Sequence, residues 1–363
     1  MRQPTRRDVM KLGAGAVAVL GPTQLARAAE FYAGKTVEII VPFAEGGAAD
    51  VTTRFLTPFL MKHLPGNPQI TIRNLGGGGS ILGANQFQKA GKADGLLVLS
   101  TTSSSAFPYI LKQQGVDYDL SDKRVGYAIG IGPVVYAAPS TGIEKPADLQ
   151  RPKVPLIYGG IGATASDLPV LLAFELLSLE VKSVLGFQGR GPIRLAFERG
   201  ETNLDFQFTS VYLTQVKPLV ESKKAVPLMT GGASDAQGRF TACDPVVGDL
   251  PSVYEVYKAI IGKEPAGPVW GAYESAAALT FEYGVTGWMP AGTPQEAIDA
   301  FAAAAAAINA DPEFQSRGKQ VTGGYRLQDG KAIEAKVKAA LAGSPEVANF
   351  LREFLIKKYG VKL

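Results

Sequence analysis

Cysteine and histidine are nearly missing from this chain of 363 residues, which has one of each, Cys243 and His63. A lone cysteine cannot close an internal disulfide, so stability must come from packed cores even in an oxidising compartment. Two such residues far apart in sequence cannot supply the several ligands of a zinc site. One histidine is also a poor base for a nucleophilic triad, and no Gly-x-Ser-x-Gly elbow accompanies it. His63 stands in Phe59-Leu-Met-Lys-His-Leu64 near the end of a predicted helix, where a solvated side chain or a partner of the C-terminal dipole is expected. Basic excess is missing too. Residues 1–28 hold five of the 37 Lys and Arg and one of the 33 Asp and Glu, which leaves 32 of each sign in residues 29–363. A chain balanced in this way lacks the electrostatic footprint of a nucleic-acid binder. Beyond residue 28 no apolar run approaches the roughly 20 residues of a membrane span.

What is present begins with an N-terminal address. Arg6-Arg7 and Lys11 precede a weakly apolar Gly/Ala/Val/Leu run ending at Leu20, and Ala26-Arg27-Ala28 follows. A basic start, a short apolar run and an A-x-A site form the order of a secretory signal cleaved near Ala28. The paired arginines predict the twin-arginine route, an ordinary Sec signal being the alternative. The protein is therefore expected in the periplasm.

The remaining residues alternate strand and helix. Thr36–Pro42 reads as a strand, a Glu45-Gly46-Gly47 loop follows, and a helix begins near Ala49. Strand 69–73, the Gly76–Gly79 loop and helix 81–90 repeat the unit, and strand 96–100 runs into the hydroxyl-rich Thr101–Ser105. A β-rich stretch, 125–138, leads to a second set: strand 155–158, helix 164–177, strand 181–185, a helix and strand 204–208. Strand 226–230 is expected to run back to the first unit. Near the end come a strand at 283–289, a helix from Pro294 through the alanine run 302–307, and a helix near 345–358. This grammar predicts an α/β protein of two domains, each a mostly parallel sheet flanked by helices. The expected boundaries are 1–28 for the signal, 29–137 for the first part of domain 1, 138–235 for domain 2, and 236–363 completing domain 1.

Ligands of open parallel sheets gather at strand carboxyl ends, which directs attention to loops 43–50, 76–80, 100–105 and 159–164. None carries a nucleotide motif. The glycines at 76–83 lack dinucleotide spacing, and Ala84-Asn85 stands where a P-loop needs Lys and Ser or Thr. The loops offer backbone N–H groups, hydroxyls and helix N-termini, which favour anions without a cationic side chain. No cofactor and no metal is expected. Capture fits better than turnover, so the chain is not expected to be an enzyme.

Several segments together resemble the periplasmic binding proteins of tripartite tricarboxylate transporters, the Bug family. The first is Ile40-Val-Pro-Phe-Ala-Glu-Gly-Gly-Ala-Ala-Asp50, and the second is Asn74-Leu-Gly-Gly-Gly-Gly-Ser-Ile-Leu-Gly-Ala84. Phe187-Gln-Gly-Arg-Gly-Pro192, Asp249-Leu-Pro-Ser-Val-Tyr-Glu255 and Pro290-Ala-Gly-Thr-Pro294 follow in the family's order. The resemblance covers essentially the whole mature chain and implies a Venus-flytrap fold. It also implies a small carboxylate-containing ligand held largely by backbone amides and waters, with a two-component membrane permease as partner. A monomer is expected. Departures include Glu45, Ser80, Ile81 and Gln188, an Asp167 where His is common, and an apparent insertion near 263–278.

Candidate ligand-binding residues are Phe43, Gly46, Gly47, Asp50, Gly77, Gly79, Thr102, Ser103, Gly162, Thr164, Arg190 and Asp205. Each has a plainer reading. Asp50, Thr102, Ser103 and Thr164 could cap helices. The glycines could serve turns, and Arg190 could be a solvated loop residue. Glu45 either faces the cleft, disfavouring a second ligand carboxylate, or sits on its rim. Two rival functions are a binding protein that feeds a sensor, and an exported hydrolase.

Overall fold

The structure, a computed structural model, describes residues 31–235 and 238–363. The leader expected at 1–28 lies outside the described residues. From the N-terminal side the elements are β1 (Thr36–Val41), α1 (Ala48–His63), β2 (Gln69–Asn74), α2 (Ile81–Ala90), β3 (Leu97–Thr101), α3 (Ser103–Ile110) and β4 (Arg124–Ile129). Then come β5 (Pro133–Ala137), β6 (Leu156–Gly160), α4 (Leu168–Leu176), β7 (Val181–Leu185), α5 (Arg190–Glu198), β8 (Leu204–Phe208) and β9 (Val226–Thr230). The last third holds α6 (Val253–Ile261), α7 (Pro268–Ala277), β10 (Val285–Met289), α8 (Gln295–Ala310), α9 (Pro312–Val321), β11 (Leu327–Asp329), α10 (Gly330–Ala342) and α11 (Pro345–Tyr359).

Local chemistry explains several boundaries. In α6 Ser252 and Glu255 form a reciprocal capping box, which satisfies two amide donors at the helix start. The alanine-rich α8 has high intrinsic helix propensity and buries Ala300, Phe301, Ala304 and Ala305 along one stripe. Helix α1 ends on His63 as expected, and Asp311 binds that end, lying 2.8 Å from Lys62 Nζ and 2.7 Å from His63 Nε2.

Among the described residues eleven strands divide into two sheets. The first has the order β11-β4-β10-β3-β1-β2 and the second β7-β6-β8-β5-β9. In the first, β10 and β11 oppose the direction of the others, and in the second only β5 does. The fold is thus α/β with two mixed sheets flanked by helices, most strands of each running in one direction although several pairings are antiparallel. Each sheet with its helices is called a lobe below.

Two of the expected placements change. Strands β5 and β9 pair with each other in the second sheet, so β9 does not return to the first lobe and the first crossing lies at 130–132, ahead of residue 138. The apparent insertion is largely α7, which packs on α4 of the second lobe and on α11, so residues 236–363 do not all join the first sheet. The chain regains that sheet only at β10, through a π-helical turn at Ala278–Glu282. The two crossing segments touch, Ile131 N donating to Phe281 O at 3.0 Å.

Glycine permits one of the tightest approaches in this framework. A Cβ at Gly330, which opens α10, would lie 2.1 Å from Val125 O, and a backbone atom cannot swing aside. Gly330→Ala should therefore cost about 1–3 kcal/mol, the usual range for overpacking, measured by denaturant unfolding. An unchanged midpoint would show that α10 shifts freely on β4.

Candidate functional site

The first strand ends at Val41, and the following loop is shaped by Asp50 in the first turn of α1. Its Oδ2 accepts the Gly46 N–H at 3.0 Å, while Oδ1 accepts from Arg54 Nε at 2.9 Å and Asn74 Nδ2 at 3.0 Å. The helix cap itself is Gly47, with no side-chain cap, and Gly46 sits at φ +81°, a conformation that favours glycine. Asp50 thus ties the loop to the helix with both oxygens occupied. Glu45 points outward, 76% exposed with Oε1 3.4 Å from Arg54 Nη2, and so belongs to the rim.

The other first-lobe loops complete one wall. Gly77 and Gly79 hold positive φ, Gly77 against Leu82 and Gly79 near Ile161 of the second lobe. Thr102 caps α3 as its plainer reading anticipated, Oγ1 accepting from Ser104 N at 3.4 Å. Ser103 is turned to Thr280, whose hydroxyl donates to it at 2.9 Å.

In the second lobe the side chains converge on Arg190. Its guanidinium is buried and donates to Asp167 Oδ1 at 2.8 Å, to Asp205 Oδ1 and to Phe206 O. Phe206 lies beneath it, with the guanidinium carbon 3.8 Å from the ring centroid. Tyr158 and Tyr136 donate to Asp167 and Asp205, each at 2.5 Å. Burial alone would lower the arginine pKa, but the acidic groups Tyr158, Asp205 and Asp167 outweigh it and raise it, so Arg190 stays charged. Burial pushes the Asp205 carboxyl up, against the pull of Arg190. Arg190 is therefore no solvated loop residue, and Asp205 is its counter-charge. Gly162 N approaches Asp167 Oδ2 at 3.4 Å, and Thr164 donates to Gln113 Oε1 at 2.6 Å instead of capping α4.

The two lobes close on each other. Ala44 N donates to Gln188 O at 2.9 Å, and Ser166 N to Ser104 Oγ at 2.8 Å. A Cβ at Gly47 would meet the backbone N of Arg190 at 3.4 Å, so the N-termini of α1 and α5 face each other across the cleft. Val41, Phe43 and Ala49 from one lobe pack with Ile161, Ala165 and Ile193 from the other. Between the lips remains a space of about 10 Å3, enough for about one water. Of the twelve candidates, Phe43, Gly47, Thr102 and Arg190 line it, and Arg190 Nε has no hydrogen-bond partner among the described residues. Ala48, Ala49 and Ile161, which lie in the flagged loops but were not candidates, also line it, as do Ser166 and Phe208 from outside those loops. Phe208 stands at the carboxyl end of β8, where the strand-end rule could have found it as it found the loop holding Ile161. Gly46, Asp50, Gly77, Gly79, Ser103, Gly162, Thr164 and Asp205 support the walls without lining the space.

With this geometry established, solved structures provide a match. The periplasmic binding protein BugD superposes with a TM-score of 0.65 at 20% identity, covering 91% of this chain and 99% of its own. The fold is that of BugD-type periplasmic binding proteins. An R. palustris protein solved with adipate matches at TM-score 0.63 and 21% identity, over 91% of this chain and 98% of that one. MatC from Rhodopseudomonas palustris, solved with bound malate, matches at 0.60 and 20% identity, over 89% and 97%. One relative by sequence, a UPF0065 protein of the TAR-I ttuE-ttuC' intergenic region of Agrobacterium vitis, is 26% identical over 203 residues. That alignment spans 53% of this chain and 56% of the relative, little more than half its length. No family model matches the chain. Among the described residues no helix is long and apolar enough to cross a membrane, and no cluster of His, Cys, Asp or Glu is placed to hold a metal.

Removing the guanidinium tests its structural role. Arg190→Ala strands Asp167 and Asp205 in a buried site, and the expected loss is about 3–5 kcal/mol in denaturant unfolding. A loss under about 1 kcal/mol would mean that water or protonation compensates the two carboxylates.

Proposed function

We propose that this chain is a periplasmic solute-binding protein of the Bug type. It captures a small carboxylate-containing ligand between its lobes and delivers it to a two-component membrane permease of the tripartite tricarboxylate transporter kind. The carrying observation is the meeting of helix N-termini at one cleft, where α1 and α5 lack side-chain caps and α3 presents Thr102. Their partial positive charges and amides favour an anion, and the unpartnered Arg190 Nε adds a donor beside them. Adipate and malate in the structures of similar fold support the ligand class. Because the closed space holds about one water, the ligand enters an open form, and the lobes then close around it less fully than they close on each other. The polar lining of Thr102, Ser166 and Arg190 includes no general base, which favours binding over catalysis. The protein acts as a monomer without a cofactor.

Thermal shift and calorimetry against a panel of mono-, di- and tricarboxylates test this reading. At 100 times its dissociation constant a ligand adds about 2.7 kcal/mol of stability. Thr102→Val should weaken the best ligand by about 5- to 150-fold, corresponding to about 1–3 kcal/mol for a stranded polar partner. If no carboxylate raises the melting temperature, the reading fails.

Export is testable separately. Replacing Arg6 and Arg7 with lysine should stop mature protein from reaching the periplasm, because the twin-arginine route reads the pair itself. Undiminished export in a fractionation experiment would assign the leader to the Sec route.

A further inference from the structure

A second cavity near the lobe junction is roomier than the cleft. A groove of about 400 Å3 opens beside the crossing segments, forty times roomier than the space between the lips and within the range of small-molecule sites. Sheet order locates it. The crossings leave β4 and enter β10, which are neighbours in the first sheet. The cleft loops follow β1, β2 and β3 on one side of that pair, whereas the groove takes Tyr325, Arg326 and Gln328 from around β11 on the other. In the second lobe the cleft uses the ends of β6 and β8, and the groove uses Gly232–Ser234 after the opposite edge strand β9. Cleft and groove therefore flank the hinge from opposite sides.

The groove's chemistry is specific. Phe240 and Phe281 meet edge to face, centroids 5.8 Å apart, as a buried apolar floor. Tyr283 and Tyr325 stand half-buried beside them. At the rim are the exposed cations Arg326 and Lys336, neither with an ion-pair partner among the described residues, and one carboxylate, Glu282. Among the lining side chains two cations stand against one anion at the rim, with the buried Asp244 behind Gly132 and Tyr325 and interacting with the Tyr325 phenol. Glycines keep the wall thin: a Cβ at Gly130 would sit 3.4 Å from the Tyr325 ring, and one at Gly231 would sit 2.3 Å from Phe281.

We propose that this groove is a second ligand site, distinct from the cleft, that takes a small aromatic carboxylate. The ring packs on Phe281 and the tyrosines, and the carboxylate pairs with Arg326 and Lys336, the guanidinium suiting it in bidentate fashion. Nothing in this assignment depends on what the cleft binds.

Benzoate is the probe, titrated by calorimetry into the mature protein. The wild type should bind it, and the double variant Arg326→Glu/Lys336→Glu should bind at least about tenfold more weakly. Both positions are exposed, so folding should survive, which circular dichroism checks. Benzamide, which has the ring without the charge, should also bind about tenfold more weakly. Thr102→Val, which alters the cleft alone, should leave benzoate affinity unchanged. The proposal is overturned if wild type fails to bind benzoate at millimolar concentration, or if the double reversal leaves affinity intact. It is equally overturned if Thr102→Val removes benzoate binding, since the probe would then occupy the cleft.

Discussion

A guanidinium buried at the base of the cleft sets the geometry of the second lobe. Arg190 is the first residue of α5, and its side chain draws Asp167 from the loop before α4, Asp205 from β8 and Tyr158 from β6 onto one point. Desolvating such a charge is expensive, and a buried pair often adds little net stability over an apolar substitute. Its consequence is positional. Satisfying the Nη donors of one rigid planar group leaves few arrangements for the elements that supply the acceptors. The α5 N-terminus is thereby aimed at Gly47, and glycine at 191 lets Glu45 O approach where a Cβ would lie 2.3 Å away.

Closure adds a second constraint. The apolar residues that meet across the lips, Phe43 and Ala49 against Ile161 and Ile193, leave water when the lobes come together. The closed form consequently has a driving force of its own, independent of any ligand. A ligand must then displace part of this contact, and its affinity reflects the difference between its own interactions and those it interrupts.

Much of the framework was legible because its signals are local. Helix α2 runs from Ile81 to Ala90 as its sequence suggests, and β7, β8 and β9 lie where β-branched and aromatic runs end in turns. What escaped was pairing at long range. Nothing within Val285–Met289 shows that it slots between β3 and β4, because that choice depends on the two flanking strands. Residues 268–277 looked like an insertion, yet Trp270 and Tyr273 stack at 5.2 Å and the helix packs on α4, a contact invisible without the fold. At the site, the glycine loops and Thr102 were readable from their positions after strands. Arg190 was not. A loop arginine usually reaches water, and its two carboxylate partners lie 23 residues before it and 15 after it. The presence of aspartate at 167, where resemblance led one to expect histidine, was the available sign that a buried cation needed a second counter-charge.

The hinge joins these constraints. Both crossing segments meet through the hydrogen bond from Ile131 to Phe281 O, and Gly284 allows that contact because a Cβ there would lie 2.0 Å from Ile131 Cγ1. These connections lie close together, and α11 adds a further bridge, packing on α7, pairing Lys358 with Glu175 of α4 and donating from Arg352 to Leu111 O of the first lobe. A lobe rotation that widened one of the two sites, cleft and groove, while narrowing the other would couple their occupants by one reciprocal free energy. The magnitude is set by how differently each occupant binds the two lobe angles, not by how tightly it binds either one.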